Sequence, residues 1–309
     1  MQLRVRPSLV TLLLAAACAA VIAALFLWRT HRESTVADLM ERLPDSDAPV
    51  LYVDVAALRD SGLLDLLVGD GAAEETEYRD FVRESGFDYR TDLDGVAASF
   101  GGDGTSFFLL RGRFDWGQLV EYVESNQGDC HNGLCRIRAS VPGRHISFLA
   151  VTPSLMAFAS GPDPWAVTAL NTRYRTLNQN ELPGEPVWLT VSGASLSRAK
   201  WAPEGTQLFA TALAGAGTIV FAASPAEEGL IARMRVDCGS EDRAAKLKGE
   251  LDGVTKLLTA LTQREPEAPA ATGVSGILAS GTFRRAGAIV AGEWRVPLRF
   301  LEELSAVEQ

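Results

Sequence analysis

The chain is 309 residues long, 47% hydrophobic and net −10 at pH 7, with 29 Lys+Arg against 39 Asp+Glu. Four arginines and Glu33 fall in the first 33 residues, so the remainder holds 25 basic and 38 acidic side chains, a net −13. So acidic a body repels phosphate backbones and anionic lipid surfaces, and no basic run with interleaved aromatics offsets it, which excludes nucleic acid as a partner.

In chain order, a short tail (1–7) leads to Ser8–Trp28, a run without a charged residue. A helix of that length rises about 30 Å, the thickness of a bilayer core. Arg4 and Arg6 precede it, and Arg29, His31 and Arg32 follow. The run predicts one membrane-spanning helix over 8–28, contacting the lipid bilayer. Ala15, Ala16 and Ala17 lie in mid-run and not at its end, which favours an uncleaved anchor over a signal peptide. Ala15-Ala16-Ala17-Cys18 also resembles the small-residue box before a lipidated cysteine, although the residues from Ala19 to Trp28 stay apolar. With arginines on both sides, charge does not set the orientation.

Residues 29–48 form a juxtamembrane linker. Within it Thr35 and Asp38 have capping-box spacing, and Val36, Leu39, Met40 and Leu43 make one helical stripe that Pro44 ends. The stretch 49–180 is expected to form a first α+β lobe. Pro49–Val55 reads as a strand, Ala56–Val68 as helical, and Glu74–Ser85 as a helix stopped by Gly86. Strands follow at Gly95–Phe100 and Thr105–Arg111, then a helix capped by Asp115. Further strands cover Leu134–Ala139, His145–Val151 and Leu155–Ala159, and a helix runs from Pro162 to Leu170.

A second lobe, 181–309, restarts with Pro186-Val-Trp-Leu-Thr-Val191, which echoes Pro49-Val-Leu-Tyr-Val-Asp54. Strands are predicted at Gln207–Leu213, Thr218–Ala223 and Gly229–Val236, and a long helix from Ser240 to about Leu261. Gln263–Thr272 is a proline- and charge-rich loop. A hairpin (Gly276–Arg284, Ala288–Val296) and a helix entered at Pro297 close the chain. Gly112-Arg-Phe114 also resembles Gly292-Glu-Trp294. The expected fold class is α+β: an N-terminal transmembrane helix, then antiparallel β-meanders with helices packed on one face, compatible with two related lobes.

Leu43-Pro44, Val50-Leu-Tyr-Val-Asp54, Leu58, Glu84-Ser-Gly-Phe87, Asp92-Leu-Asp94 and Leu110-Arg-Gly-Arg-Phe114, following a spanning helix, form a pattern. It resembles uncharacterised bacterial envelope-anchored proteins that carry a domain of unknown function, and the likeness covers roughly the first half. The resemblance implies a tethered extracytoplasmic domain and assigns no catalytic residue.

Cys130-His-Asn-Gly-Leu-Cys135 is the sharpest local signal. Asn132-Gly133 suits a type I′ hairpin turn, which pairs His131 with Leu134 and sets Cys130 opposite Cys135. In such a non-hydrogen-bonded pair the Cα atoms lie about 4.5–5.5 Å apart, within reach of a disulfide. Two other readings stand beside it. The cysteines, with His131 and Asp129, are also possible metal ligands, without a second ligand pair in the sequence; or they are two reduced thiols. A disulfide implies an oxidising compartment, giving a single-pass bacterial inner-membrane protein with its C-terminal domain in the periplasm. Cys238 reads as a buried structural thiol.

No G-x-S-x-G, H-E-x-x-H, P-loop or G-x-G-x-x-G motif is present, and the histidines number three: His31, His131 and His145. The sequence therefore designates no catalytic, cofactor-binding or metal residue and calls for no cofactor. Asp92-Leu-Asp-Gly95 reads as a solvated turn. The expected function is a non-enzymatic interaction or assembly module of the cell envelope with an envelope protein as partner. The alternative is a tethered hydrolase whose site gathers scattered residues near His145. Oligomeric state is not legible.

Overall fold

The computed structural model describes residues 34–44, 48–68, 76–174, 176–177, 182–197, 206–264 and 273–307. The expected spanning helix, 8–28, lies outside the described residues. Twelve strands form one antiparallel sheet in the order β11-β12-β10-β9-β8-β1-β2-β3-β7-β6-β5-β4. The first half supplies β1 (Val50–Val53), β2 (Leu93–Phe100), β3 (Ser106–Gly112), β4 (Asp129–His131), β5 (Leu134–Arg138), β6 (His145–Thr152) and β7 (Leu155–Gly161). The second supplies β8 (Val187–Ser192), β9 (Thr218–Ala226), β10 (Gly229–Asp237), β11 (Thr282–Ala286) and β12 (Ile289–Pro297).

The two halves expected as related lobes share one sheet, because β1 and β8 pair directly, Tyr52 opposite Trp188 and Val53 opposite Val187. The predicted single-pass, inner-membrane architecture with a periplasmic domain is overturned: among the described residues no helix is long and apolar enough to cross a membrane.

Side chains alternate between the two faces of a strand, and the register carries each row across the sheet. On the first face the row Leu149–Ala157–Leu109–Ala97–Tyr52–Trp188–Ala222 runs from β6 to β9. Its first-half part is covered by α1 (Val36–Met40) with the turn after it and by a 3-10 helix, Ala166–Asn171; Leu39, Leu43, Val167 and Leu170 are fully buried there. Thr35 and Asp38 close the expected capping box on α1. The helices are therefore not confined to one face.

The opposite face carries the rest. Near the join, α2 (Val55–Asp60), α3 (Leu63–Val68) and α11 (Leu298–Val307) bury Leu58, Leu63, Leu64 and Leu301 against Val53, Val187 and Val296. Gly62, at φ +74°, breaks the predicted Ala56–Val68 helix in two. Beside them lie α4 (Thr76–Ser85) and α5 (Tyr89–Asp92), while α6 (Trp116–Ser125) packs Leu119 and Val123 onto Phe148 and Met156. Over the second half sit α7 (Gly193–Ser197), α8 (Gln207–Leu213), α9 (Glu241–Arg264) and α10 (Val274–Ala279). The 24-residue α9 buries Ala244, Leu247, Leu251 and Leu258, a helical spacing, against Met234, Val236 and Val290. Each such leucine contributes about 1.5–3 kcal/mol by leaving water.

The segments Gln207–Leu213 and Gly276–Ala279, expected as strands, are helical.

Candidate functional site

The first face changes character at β8. Across the first half α1 and the 3-10 helix cover it; across β9, β10, β12 and β11 it is uncovered by any described helix. The alternation of the second-half strands makes this legible: Ile219, Phe221, Met234, Val236, Val290 and Trp294 point to the helices, while Val220, Arg235, Ala291 and Glu293 between them line the other face. Two adjacent rows floor the surface. One reads Trp188–Ala222–Arg233–Glu293–Thr282, the other Thr190–Val220–Arg235–Ala291–Arg284.

Together they bound a concavity of about 910 Å³, walled at the β8 end by Met40, Val50, Leu177, Leu182 and Pro183. A volume of this order is that of a site for a small ligand or a short peptide segment.

The two ends differ chemically. At the β8 end Trp188 is only 3% exposed and tilts against Tyr52, ring centroids 5.7 Å apart. Its indole N–H is buried with no hydrogen-bond acceptor among the described residues. Burial pushes the Tyr52 phenol up, and its hydroxyl hydrogen-bonds the Asp54 carboxylate at 3.4 Å. Glu41 secures the wall above: its carboxylate accepts from the Leu177 backbone N–H at 2.9 Å and from Arg173 at 2.6 Å.

The far end is charged. Arg233 reaches Glu293 (3.3 Å), Glu185 (3.8 Å) and the Ser224 hydroxyl (3.4 Å). Arg235 and Arg284, exposed on either side of Ala291, have no carboxylate within 4.0 Å among the described residues.

The residues singled out in the sequence lie elsewhere. Cys130 and Cys135 form a disulfide, opposite each other in register with Cα atoms 4.0 Å apart. Asn132 and Gly133 have the positive φ, 52° and 79°, of the predicted turn. The bridge lies on the helix-covered face beneath α6, at the opposite end of the sheet from the concavity. Next to it the Arg136 hydrogen bond holds the Asp129 carboxyl below the usual range, and Arg136 also lies over the Trp165 ring at 4.2 Å.

His145 opens β6 opposite Arg138 and Gly161 and hydrogen-bonds no serine or carboxylate among the described residues. Asp92 and Asp94 are not a solvated turn. They end α5 and begin β2, and share Arg113, with Arg59 also on Asp94. Among the described residues no three His, Cys, Asp or Glu side chains are grouped to hold a metal. Burial, with Asp237 beside it, pushes the Cys238 thiol up.

The concavity carries no motif, so sequence reasoning passed over it. The available signal was the polar alternation of Arg233/Arg235 and Glu293/Arg295 along otherwise apolar strands.

No protein-family profile matches the chain, and no curated protein does. Its fold is similar to solved structures of TP0453. Crystal form I gives a TM-score of 0.49 at 10% identity, covering 88% of this chain and 97% of that one. Form III gives 0.48 at 10% identity, covering 87% and 98%, and form IV 0.47 at 10%, covering 88% and 96%.

Proposed function

We propose that this protein is a non-enzymatic interaction module whose partner, another protein, seats on the uncovered half of the sheet. The observation that supports this is the abrupt end of helical cover at β8 among the described residues, which leaves an apolar-walled concavity over four strands while α7 to α10 cover the opposite face. A sheet face left open in this way is a surface for recognition, because its alternate side chains stand ready while the backbone ladder holds them rigid. Hydrolysis near His145 has no comparable support, as among the described residues the histidine has none of the orienting partners that such chemistry needs.

The test is a photo-cross-linking residue placed at Ala291, on the concave face, or at Lys246 on α9, in cells that make the protein. A discrete cross-linked species from position 291 and none from 246 is the expected result. Equal products from both positions would sink the reading. So would hydrolysis of a panel of aryl esters and peptides that disappears in His145→Ala.

A further inference from the structure

Resting on that reading, the geometry points to a particular occupant: we infer that the concavity takes an extended peptide segment of a partner, with one apolar anchor and a carboxylate about five residues from it. The apolar end is fixed by Trp188, Val220, Ala222 and Leu182. The anionic end is fixed by Arg235 and Arg284. Both are in register with Ala291, from the strands on either side of it. Strands lie about 4.8 Å apart, so the two arginine Cα atoms are about 10 Å apart and a methyl group floors the gap. A carboxylate held above that methyl group lies within reach of both guanidinium groups, the planar donors best matched to it.

From Trp188 to Ala291 is three strand spacings across and two residues along, about 16 Å, or about five residues of extended chain. Glu293 and Glu185 sit on this face too, but both are taken up by Arg233. Asp237 accepts from the Gly239 N–H at 2.8 Å, beyond the arginine row. Arg295, also exposed on this face, adds positive charge alongside.

Charge complementarity selects the acidic partner. The chain as a whole is net −10. An acidic segment is therefore repelled by most of the surface and admitted where Arg235 and Arg284, without a carboxylate partner among the described residues, flank Ala291, which gives orientation as well as affinity.

The experiment is fluorescence anisotropy of the full chain with a fluorescein-labelled heptapeptide: leucine first, glutamate sixth, serine and threonine elsewhere. Saturable binding is expected, weakened about tenfold or more in Arg235→Glu/Arg284→Glu, and to a similar degree when the peptide glutamate becomes glutamine. Ala291→Glu, which sets a competing carboxylate between the arginines, should act likewise and guards against misfolding of the double variant. Lys246→Glu, remote on α9, should bind as wild type does.

Binding that survives the glutamine peptide or both arginine-row variants overturns the inference. So does uptake of sodium dodecanoate but not the peptide, which would make the occupant an amphiphile. If no peptide binds while the cross-link from position 291 persists, the acidic-peptide inference falls and the interaction reading stands; loss of both removes both.

Discussion

At the scale of single residues, Trp188 and the Cys130–Cys135 bridge give opposite expectations for conservative changes. An unsatisfied buried donor costs about 1–3 kcal/mol, and the indole N–H of Trp188 is one. Trp188→Phe removes that donor but also forfeits indole packing of comparable worth, so the two effects nearly cancel. Urea unfolding should place this variant within about 1 kcal/mol of wild type, while Leu109→Ala, fully buried in the same cluster, should lose about 2–5 kcal/mol. A loss beyond about 2 kcal/mol for Trp188→Phe would mean that the N–H has a partner. The disulfide works through the unfolded chain: closing so short a loop is worth about 2 kcal/mol in the chain-entropy account. Cys130→Ser/Cys135→Ser should therefore lose about that much by the same measurement, a change near zero being the contrary result. The hairpin was readable beforehand because Asn132-Gly133 admits one turn geometry, and that turn dictates the facing pair. Trp188 was not, since nothing local to its strand says that helical cover stops beside it.

At the scale of elements, α1 shows how a five-residue helix can hold the wall of the concavity. Glu41 is 5% exposed, and its side chain ties the Leu177 N–H and Arg173 to the helix. Glu41→Ala strands the backbone donor and should cost about 1–3 kcal/mol in urea unfolding. Glu41→Gln keeps an acceptor and loses only the pairing to Arg173, itself half exposed, so its cost should stay under about 1 kcal/mol. Equal losses would show that the charge and not the hydrogen bond matters. Asp38, in the first turn, adds a pH dependence. Partial burial pushes its carboxyl up, but hydrogen bonds from Thr35 and the charge and hydrogen bond of Arg173 outweigh this and hold it below the usual range. A lowered folded pKa means that the contribution is full above the unfolded value of about 3.9 and is lost as pH falls through the lower folded value. Asp38→Asn should therefore be less stable than wild type at neutral pH, with the difference closing in acid below about pH 4; a difference that widens there contradicts the assignment. The capping box was legible because its spacing is local. Gln207–Leu213 misled for an equally physical reason: Phe209 and Leu213, four apart, satisfy a period of two as well as 3.6. The deciding fact is that Thr211, which a strand would put on their face, is exposed.

At the scale of the molecule, the repeated strand motif, Pro49-Val and Pro186-Val, marks where two similarly connected halves meet. In each, a first strand is followed by helices, a hairpin whose first strand pairs back to it, a helix, and return strands, the last of which pairs with the third. The echo of Gly112-Arg-Phe114 in Gly292-Glu-Trp294 does not share that correspondence, since Gly112 ends β3 and Gly292 lies in mid-β12. Composition and periodicity revealed the strands of each half but not their fusion, because β1 and β8 pair across more than a hundred residues of intervening chain and no local pattern encodes such a contact. The fusion is substantial on both faces. Tyr52, Trp188 and Ala222 share one cluster on the concave side, and on the other Leu301 of α11 returns from the second half to pack on Leu63 and Leu64 of the first. With a packed cluster on each face of the β1–β8 ladder, separating the halves would expose both clusters at once, so they should unfold together. Trp116 reports on the first half and Trp294 on the second. Variants that retain one or the other as sole tryptophan should show, within each variant, urea midpoints by fluorescence that coincide with those by far-ultraviolet circular dichroism. A fluorescence midpoint for the Trp294 variant well below its own dichroism midpoint would mean that β8–β12 can open alone. The concave face would then be a mobile surface, and the rigid spacing from Trp188 to the arginine row would no longer select a ligand.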